Sequence, residues 1–204
     1  MPDLPDHGSR RAVPRNALIW ARGLHAGYQS NAVLHGLDFE IKRHRTTAIL
    51  GPGGGGKTTL LRILNRQLAP GQVWRLGTLV INQDPMCWLP QKPAVSQRPV
   101  SNLFLDLAPE MFLNKPNPEA NLNEARDFCA NIPVAGPHIA DSLLQPLSAL
   151  DPKWVRVALF AAAVFRKAPF LVLDEPEVDL DPEIQDFRPA GNDIDHASHG
   201  FASI

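Results

Sequence analysis

The chain has 204 residues, with 20 Lys and Arg against 21 Asp and Glu for a formal net charge of −1, and is 44% hydrophobic and 20% charged. That balance belongs to a soluble globular chain forming one large domain or two small ones, and it excludes disorder of the bulk. It also excludes a global positive field for nucleic acid or an anionic membrane, so any anion must be captured by local geometry.

The N-terminal MPDLPDHGSRR lacks an apolar core, and the longest alanine-rich apolar run, residues 157–165, is far short of a bilayer span. Neither a signal peptide nor a transmembrane helix is expected. Cys87 and Cys129 lie far apart without Cys-x-x-Cys spacing, which argues against a disulfide framework or a zinc site and suits reduced cytosolic thiols. The 20 prolines are about twice the average share and cluster at 90–118, 133–152 and 168–189, where short helices or irregular chain are expected.

In chain order, residues 1–16 carry three prolines, Gly8 and three arginines without apolar periodicity, and read as a loose tail. Order is expected from Ala17. Leu37, Phe39 and Ile41 alternate with polar residues, the period-two pattern of a half-buried strand, and residues 46–50 form a short β-rich run ending at Gly51. After Lys57, Leu60, Leu61, Leu64 and Leu68 mark one face of an amphipathic helix. Residues 78–82 read as another strand. Leu122, Ala125, Phe128, Cys129 and Ile132 share a helical face, HIADSLL adds a further helical turn, and residues 154–167 form a strong helix. The apolar run 170–173 suits a central parallel strand buried on both faces. The picture is an α/β domain with a helical insert.

Gly51, Pro52, Gly53, Gly54, Gly55 and Gly56, followed by Lys57, Thr58 and Thr59, match G-x-x-x-x-G-K-[ST] in full between an expected strand and an expected helix. Glycines let backbone N–H groups converge on phosphate oxygens, and the helix N-terminus adds partial positive charge. Lys57 supplies a point charge to the outer phosphates, and the Thr58 hydroxyl is placed to ligate Mg²⁺. Downstream, the apolar strand delivers Asp174 and Glu175 at its C-terminal end, where open α/β sheets bind ligands. Asp174 would hold the Mg²⁺ shell, and Glu175 would orient or deprotonate the attacking water.

Taken together, Gly27-Tyr28, GPGGGGKTTLLRILN at 51–65, Leu89-Pro90-Gln91, FLVLDEP at 170–176 and Asp179-Leu180-Asp181-Pro182 resemble the ATP-binding-cassette (ABC) ATPases over about residues 17–183. The resemblance implies an α/β fold: a P-loop NTPase core with a mainly parallel sheet, an N-terminal antiparallel β subdomain and a helical subdomain at about 97–150. It further implies that Tyr28 stacks on adenine, that Gln91 approaches Mg²⁺ and the γ-phosphate, and that Asp181 works across a dimer interface. The nucleotide would be held by Tyr28, the 51–56 loop, Lys57, Thr58, Thr59 and Asp174, the metal by Thr58, Gln91 and Asp174, and catalysis would rest on Glu175, Gln91 and Lys57.

Two places depart from the family pattern. Where the family has Leu-Ser-Gly-Gly-Gln, the chain reads Leu147-Ser148-Ala149-Leu150-Asp151-Pro152, losing both glycines and gaining a negative charge. Residues 184–204 read as a diverged or truncated tail with no apolar strand run, and His196 and His199 lie too close to Glu175 for the family's switch histidine.

The leading expectation is an ATP-binding and hydrolysing subunit of an ABC transporter. It would sit peripherally on the cytoplasmic face of a membrane, partnered by a separate permease subunit and a second cassette, with no nucleic acid. The layout looks most like bacterial import cassettes for phosphate or metal ions. The alternative is a degenerate cassette that binds Mg-ATP as a regulatory or heterodimer half with little hydrolysis. A small kinase would need a basic lid, yet between Ser101 and Ser148 only Lys115 and Arg126 are basic.

Overall fold

A computed structural model describes residues 13–67, 73–82, 86–113, 115–133, 135–168, 170–175 and 200–203. The chain divides into two compact units, one within residues 1–83 and 196–204, the other within 84–195.

The first unit is built on strands β1 (Ala17–Tyr28), β2 (Asn31–Lys42), β3 (Thr47–Leu50), β4 (Trp74–Ile81) and β7 (Gly200–Ser203) with helix α1 (Lys57–Leu64). An antiparallel sheet runs β2-β1-β4, with Ile19 facing Ile41 on one side and Ile81 on the other. Leu18, Ile19, Leu24, Leu34 and Ile41 are buried, with bulges along β1 and β2 interrupting simple alternation. The β1–β2 hairpin is tight because Gly27 has no side chain: a Cβ there would lie 2.0 Å from the Asn31 carbonyl oxygen. This turn sets Tyr28 at the end of β1.

The strand expected around residues 37–41 is part of the longer β2, and that expected at 78–82 begins earlier, at Trp74. β3 pairs in parallel with β7, Thr47 opposite Gly200 and Leu50 opposite Ser203. The expectation of a C-terminal stretch without a strand is therefore corrected at Gly200–Ser203: a four-residue strand held by a partner far away in sequence needs no long apolar run of its own.

The second unit contains β5 (Cys87–Leu89), α2 (Ser101–Leu105), α3 (Leu122–Ala130), α4 (Gly136–Ser142), α5 (Pro152–Phe165) and β6 (Leu171–Leu173). Its core gathers Phe104, Met111, Ile139, Leu143 and Leu159, with Phe165 edge-on to Phe104 at 5.6 Å between ring centroids. α3 begins on a reciprocal cap: the Asn121 side chain accepts from the Glu124 amide, and the Glu124 carboxylate accepts from the Asn121 amide. Pro152 opens α5, where its missing N–H costs nothing.

β6 pairs in parallel with β5, Leu89 opposite Leu173. Val172 is buried while Leu171 and Leu173 are half-buried, so β6 is less enclosed than the expected central strand. No described helix is long and apolar enough to cross a membrane.

Candidate functional site

In the first unit, β3 ends at Leu50, residues 51–56 form an open loop, and α1 starts at Lys57. Gly56 is the hinge, at φ +87, where a Cβ would stand 2.8 Å from Leu34 Cδ2 and 3.1 Å from Val33 Cγ1. The bare backbone therefore packs directly on β2. Around Gly53 and Gly54, by contrast, a Cβ would meet nothing within 4 Å, so this side of the loop presents main chain to open space. α1 has no side-chain cap and no acid in its first turn. Its first N–H groups and positive dipole end are thus turned toward the glycine loop, the arrangement that receives a phosphate.

The Lys57 ammonium reaches back over the loop and donates to the Gly51 and Pro52 carbonyls, both at 2.9 Å. It is held inside the arch, where its charge adds to the helix dipole. The Tyr28 hydroxyl donates to Thr59 Oγ1 at 3.5 Å, placing the aromatic ring beside the first turn of α1. The structure thus brings Tyr28, the glycine loop, Lys57, Thr58 and Thr59 together within one unit.

In the second unit, parallel strands β5 and β6 end side by side, and the Asp174 amide continues the ladder by donating to the Leu89 carbonyl at 3.1 Å. The carboxyl ends of the two strands deliver Gln91, Asp174 and Glu175. Asp174 is buried. Glu175 takes a left-handed backbone at φ +50, uncommon for a residue with a side chain, and the Gln91 Nε2 donates to its Oε2. Gln91 spends an amide N–H on the carboxylate, and its amide oxygen is an acceptor only.

Beneath this pair lies a residue that the motif reading did not select. Arg156 of α5 is buried, and its guanidinium donates through Nη1 to the Glu175 carbonyl at 3.1 Å and through Nη2 to the Gln91 carbonyl. A signal was present: Arg156 is the single charge between Val155 and Phe165 in an otherwise apolar helix. A buried charge there requires polar partners.

Residues 147–149 form a 3-10 turn with Leu147 buried. The amides of 147–150 are all occupied: Leu147 donates to the Arg98 carbonyl, Ser148 to that of Ser96, Ala149 to that of Pro146 and Leu150 to that of Leu147. The altered signature offers no free row of N–H groups. Nearby, Trp154 stacks on His138 with centroids 4.6 Å apart. Cys87 and Cys129 are buried, and burial pushes each thiol up to about 12. Pro176, Asp179, Leu180, Asp181, Pro182, His196 and His199 lie outside the described residues.

A family model described as ABC transporter matches residues 34–178. The zinc import ATP-binding protein ZnuC of Pseudomonas aeruginosa is 34% identical over 170 residues, which cover 81% of this chain and 56% of that protein. The probable branched-chain amino acid transport ATP-binding protein LivF of Archaeoglobus fulgidus is 28% identical over 169 residues, 78% of this chain and 68% of that one. The chain thus spans little more than half the length of the zinc import relative. Among solved structures, the ATP-binding subunit of an ABC transporter superposes with a TM-score of 0.61 at 19% identity, over 81% of this chain and 69% of that chain. A bacterial Atm1-family ABC exporter with ATP bound gives 0.62 at 20% identity, over 90% and 33%. At such identities the structural likeness speaks for the fold alone, an α/β P-loop cassette.

Proposed function

Because the chain belongs to the ABC transporter family, we propose that it is the ATP-binding subunit of a transport system, binding Mg-ATP and hydrolysing it to drive a separate membrane permease. The observation that carries this reading is the strand, glycine loop and helix of the first unit, with Lys57 folded over the loop carbonyls. Residues 17–183 act as the nucleotide-binding cassette, working with a second cassette and peripherally on the cytoplasmic face of the membrane. The likeness to the zinc import ATP-binding protein supports an import system with a metal-ion cargo.

Each unit contributes its own chemistry. In the first, the loop amides and the Lys57 ammonium neutralise the phosphates, and the Tyr28 ring offers a face to the base. In the second, Glu175 accepts the proton of the attacking water, and the Gln91 amide steadies its carboxylate. Each unit carries oxygen donors of the kind Mg²⁺, a hard cation, prefers: a carboxylate from Asp174 and an amide oxygen from Gln91 in the second, and the Thr58 hydroxyl in the first. An ion bound with the nucleotide would withdraw charge from the phosphates.

The test is Mg-ATP binding and steady-state hydrolysis by the full chain beside Lys57→Ala and Glu175→Gln. Binding is expected to fall at least tenfold in Lys57→Ala and to survive in Glu175→Gln, which should lose turnover. Equal binding by the parent and Lys57→Ala would refute the assignment.

The occupied amides of the 147–150 turn support a second reading, a cassette whose copies cannot complete each other's γ-phosphate site. Removing one preorganised donor at a developing charge typically costs about 10²–10³ in rate. On this reading the chain alone binds Mg-ATP and turns it over very slowly, and a cassette with an intact signature raises the rate.

A further inference from the structure

We infer that Arg156 is a positioning residue for hydrolysis, its guanidinium tying the loop that carries Gln91 to the turn that carries Glu175 so that the two side chains keep one relative placement. The inference rests on the proposed role of Glu175 as the base.

Three segments far apart in sequence meet here. Arg156 reaches the Gln91 carbonyl, 65 residues away, and the Glu175 carbonyl, 19 residues away. The Gln91 side chain then closes the circuit on the Glu175 carboxylate. Glu175 sits in a left-handed conformation uncommon for a side-chain-bearing residue, and Arg156 grips the carbonyl of that very residue. The grip involves two atoms of one rigid plane: a guanidinium presents donors at fixed spacing, whereas a lysine ammonium is a single point on a flexible stem. A charge buried to 8% exposure is stable there because both carbonyl dipoles face it.

Arg156 touches no reacting atom and acts through the direction in which Glu175 points its carboxylate. Misplacing a catalytic group by about 1 Å is enough to cost about 100-fold in rate. Arg156→Lys preserves charge and stem but not the two-point hold. The expected result is a 10- to 100-fold fall in kcat, with KM and Kd for Mg-ATP within about twofold of the parent.

In hydrogen exchange on the full chain without nucleotide, peptides covering 86–92 and 170–175 should exchange about tenfold faster in Arg156→Lys, with α3 unchanged. Retained kcat, or kcat and Kd failing together, would overturn the inference. So would exchange at parent rates in both peptides, or exchange raised equally in α3, which would mark a merely structural arginine. A parent chain without turnover would refute the proposed ATPase reading instead, and the exchange result would then decide whether Arg156 holds the two loops together.

Discussion

Replacing Gly56 by alanine separates backbone strain from collision in the glycine loop, because Gly54 provides a matched control. Both residues have left-handed backbones, φ +87 at Gly56 and +77 at Gly54. A side chain in that region costs roughly 1–2 kcal/mol at either site. The reduced freedom of the unfolded chain returns about 0.4–1 kcal/mol in both variants and cancels between them. What differs is the space. At Gly54 the new methyl meets nothing within 4 Å, whereas at Gly56 it would stand 2.8 Å from Leu34 Cδ2 and 3.1 Å from Val33 Cγ1.

Leu34 is fully buried, so it cannot swing into solvent to make room. Overpacking of this kind costs about 1–3 kcal/mol. Gly56→Ala should therefore be less stable than Gly54→Ala by about 1–3 kcal/mol, while Gly53→Ala, at an ordinary φ and in open space, should lie within about 0.5 kcal/mol of the parent. Urea unfolding of the four proteins by circular dichroism, with unchanged m-values, measures the differences. Equal stabilities for Gly56→Ala and Gly54→Ala would refute the argument that contact with β2 makes glycine obligatory at the start of α1.

Three further outcomes are expected. Asn121→Ala removes the reciprocal cap of α3 and should lower stability by about 1 kcal/mol, read as a shifted urea midpoint at constant slope. With Cys87 and Cys129 raised from 9.0 to about 12, the folded chain holds more protons than the unfolded one between those values, so stability should fall as pH rises from about 9 to 12. Thermal melts across that window should fall less steeply in a Cys87→Ala, Cys129→Ala double variant. The 3.5 Å contact of the Tyr28 hydroxyl is long: Tyr28→Phe should bind a fluorescent ATP analogue within about twofold of the parent, whereas Tyr28→Ala, losing the ring, should bind at least tenfold more weakly.

Local periodicity carried a large part of the fold in the sequence itself. Leu60, Leu61 and Leu64 mark α1, Ala125, Phe128 and Cys129 mark α3, and alternation through Leu37, Phe39 and Ile41 marks β2, because helix and strand repeats depend on neighbours a few residues away. The glycine loop and Lys57 were legible for the same reason: the strand, turn and helix that shape the loop are consecutive. Tertiary structure decided what depends on distant partners. β5 is only three residues long and has no period to read, and it exists because Leu171–Leu173 pairs beside it; β7 likewise exists through β3. In sequence Arg156 is one charge in an apolar stretch of helix, and only the tertiary structure brings the carbonyls of Gln91 and Glu175 to its guanidinium. Hydrogen bonds between remote segments leave no period in the sequence, since their geometry is set by packing that brings those segments together.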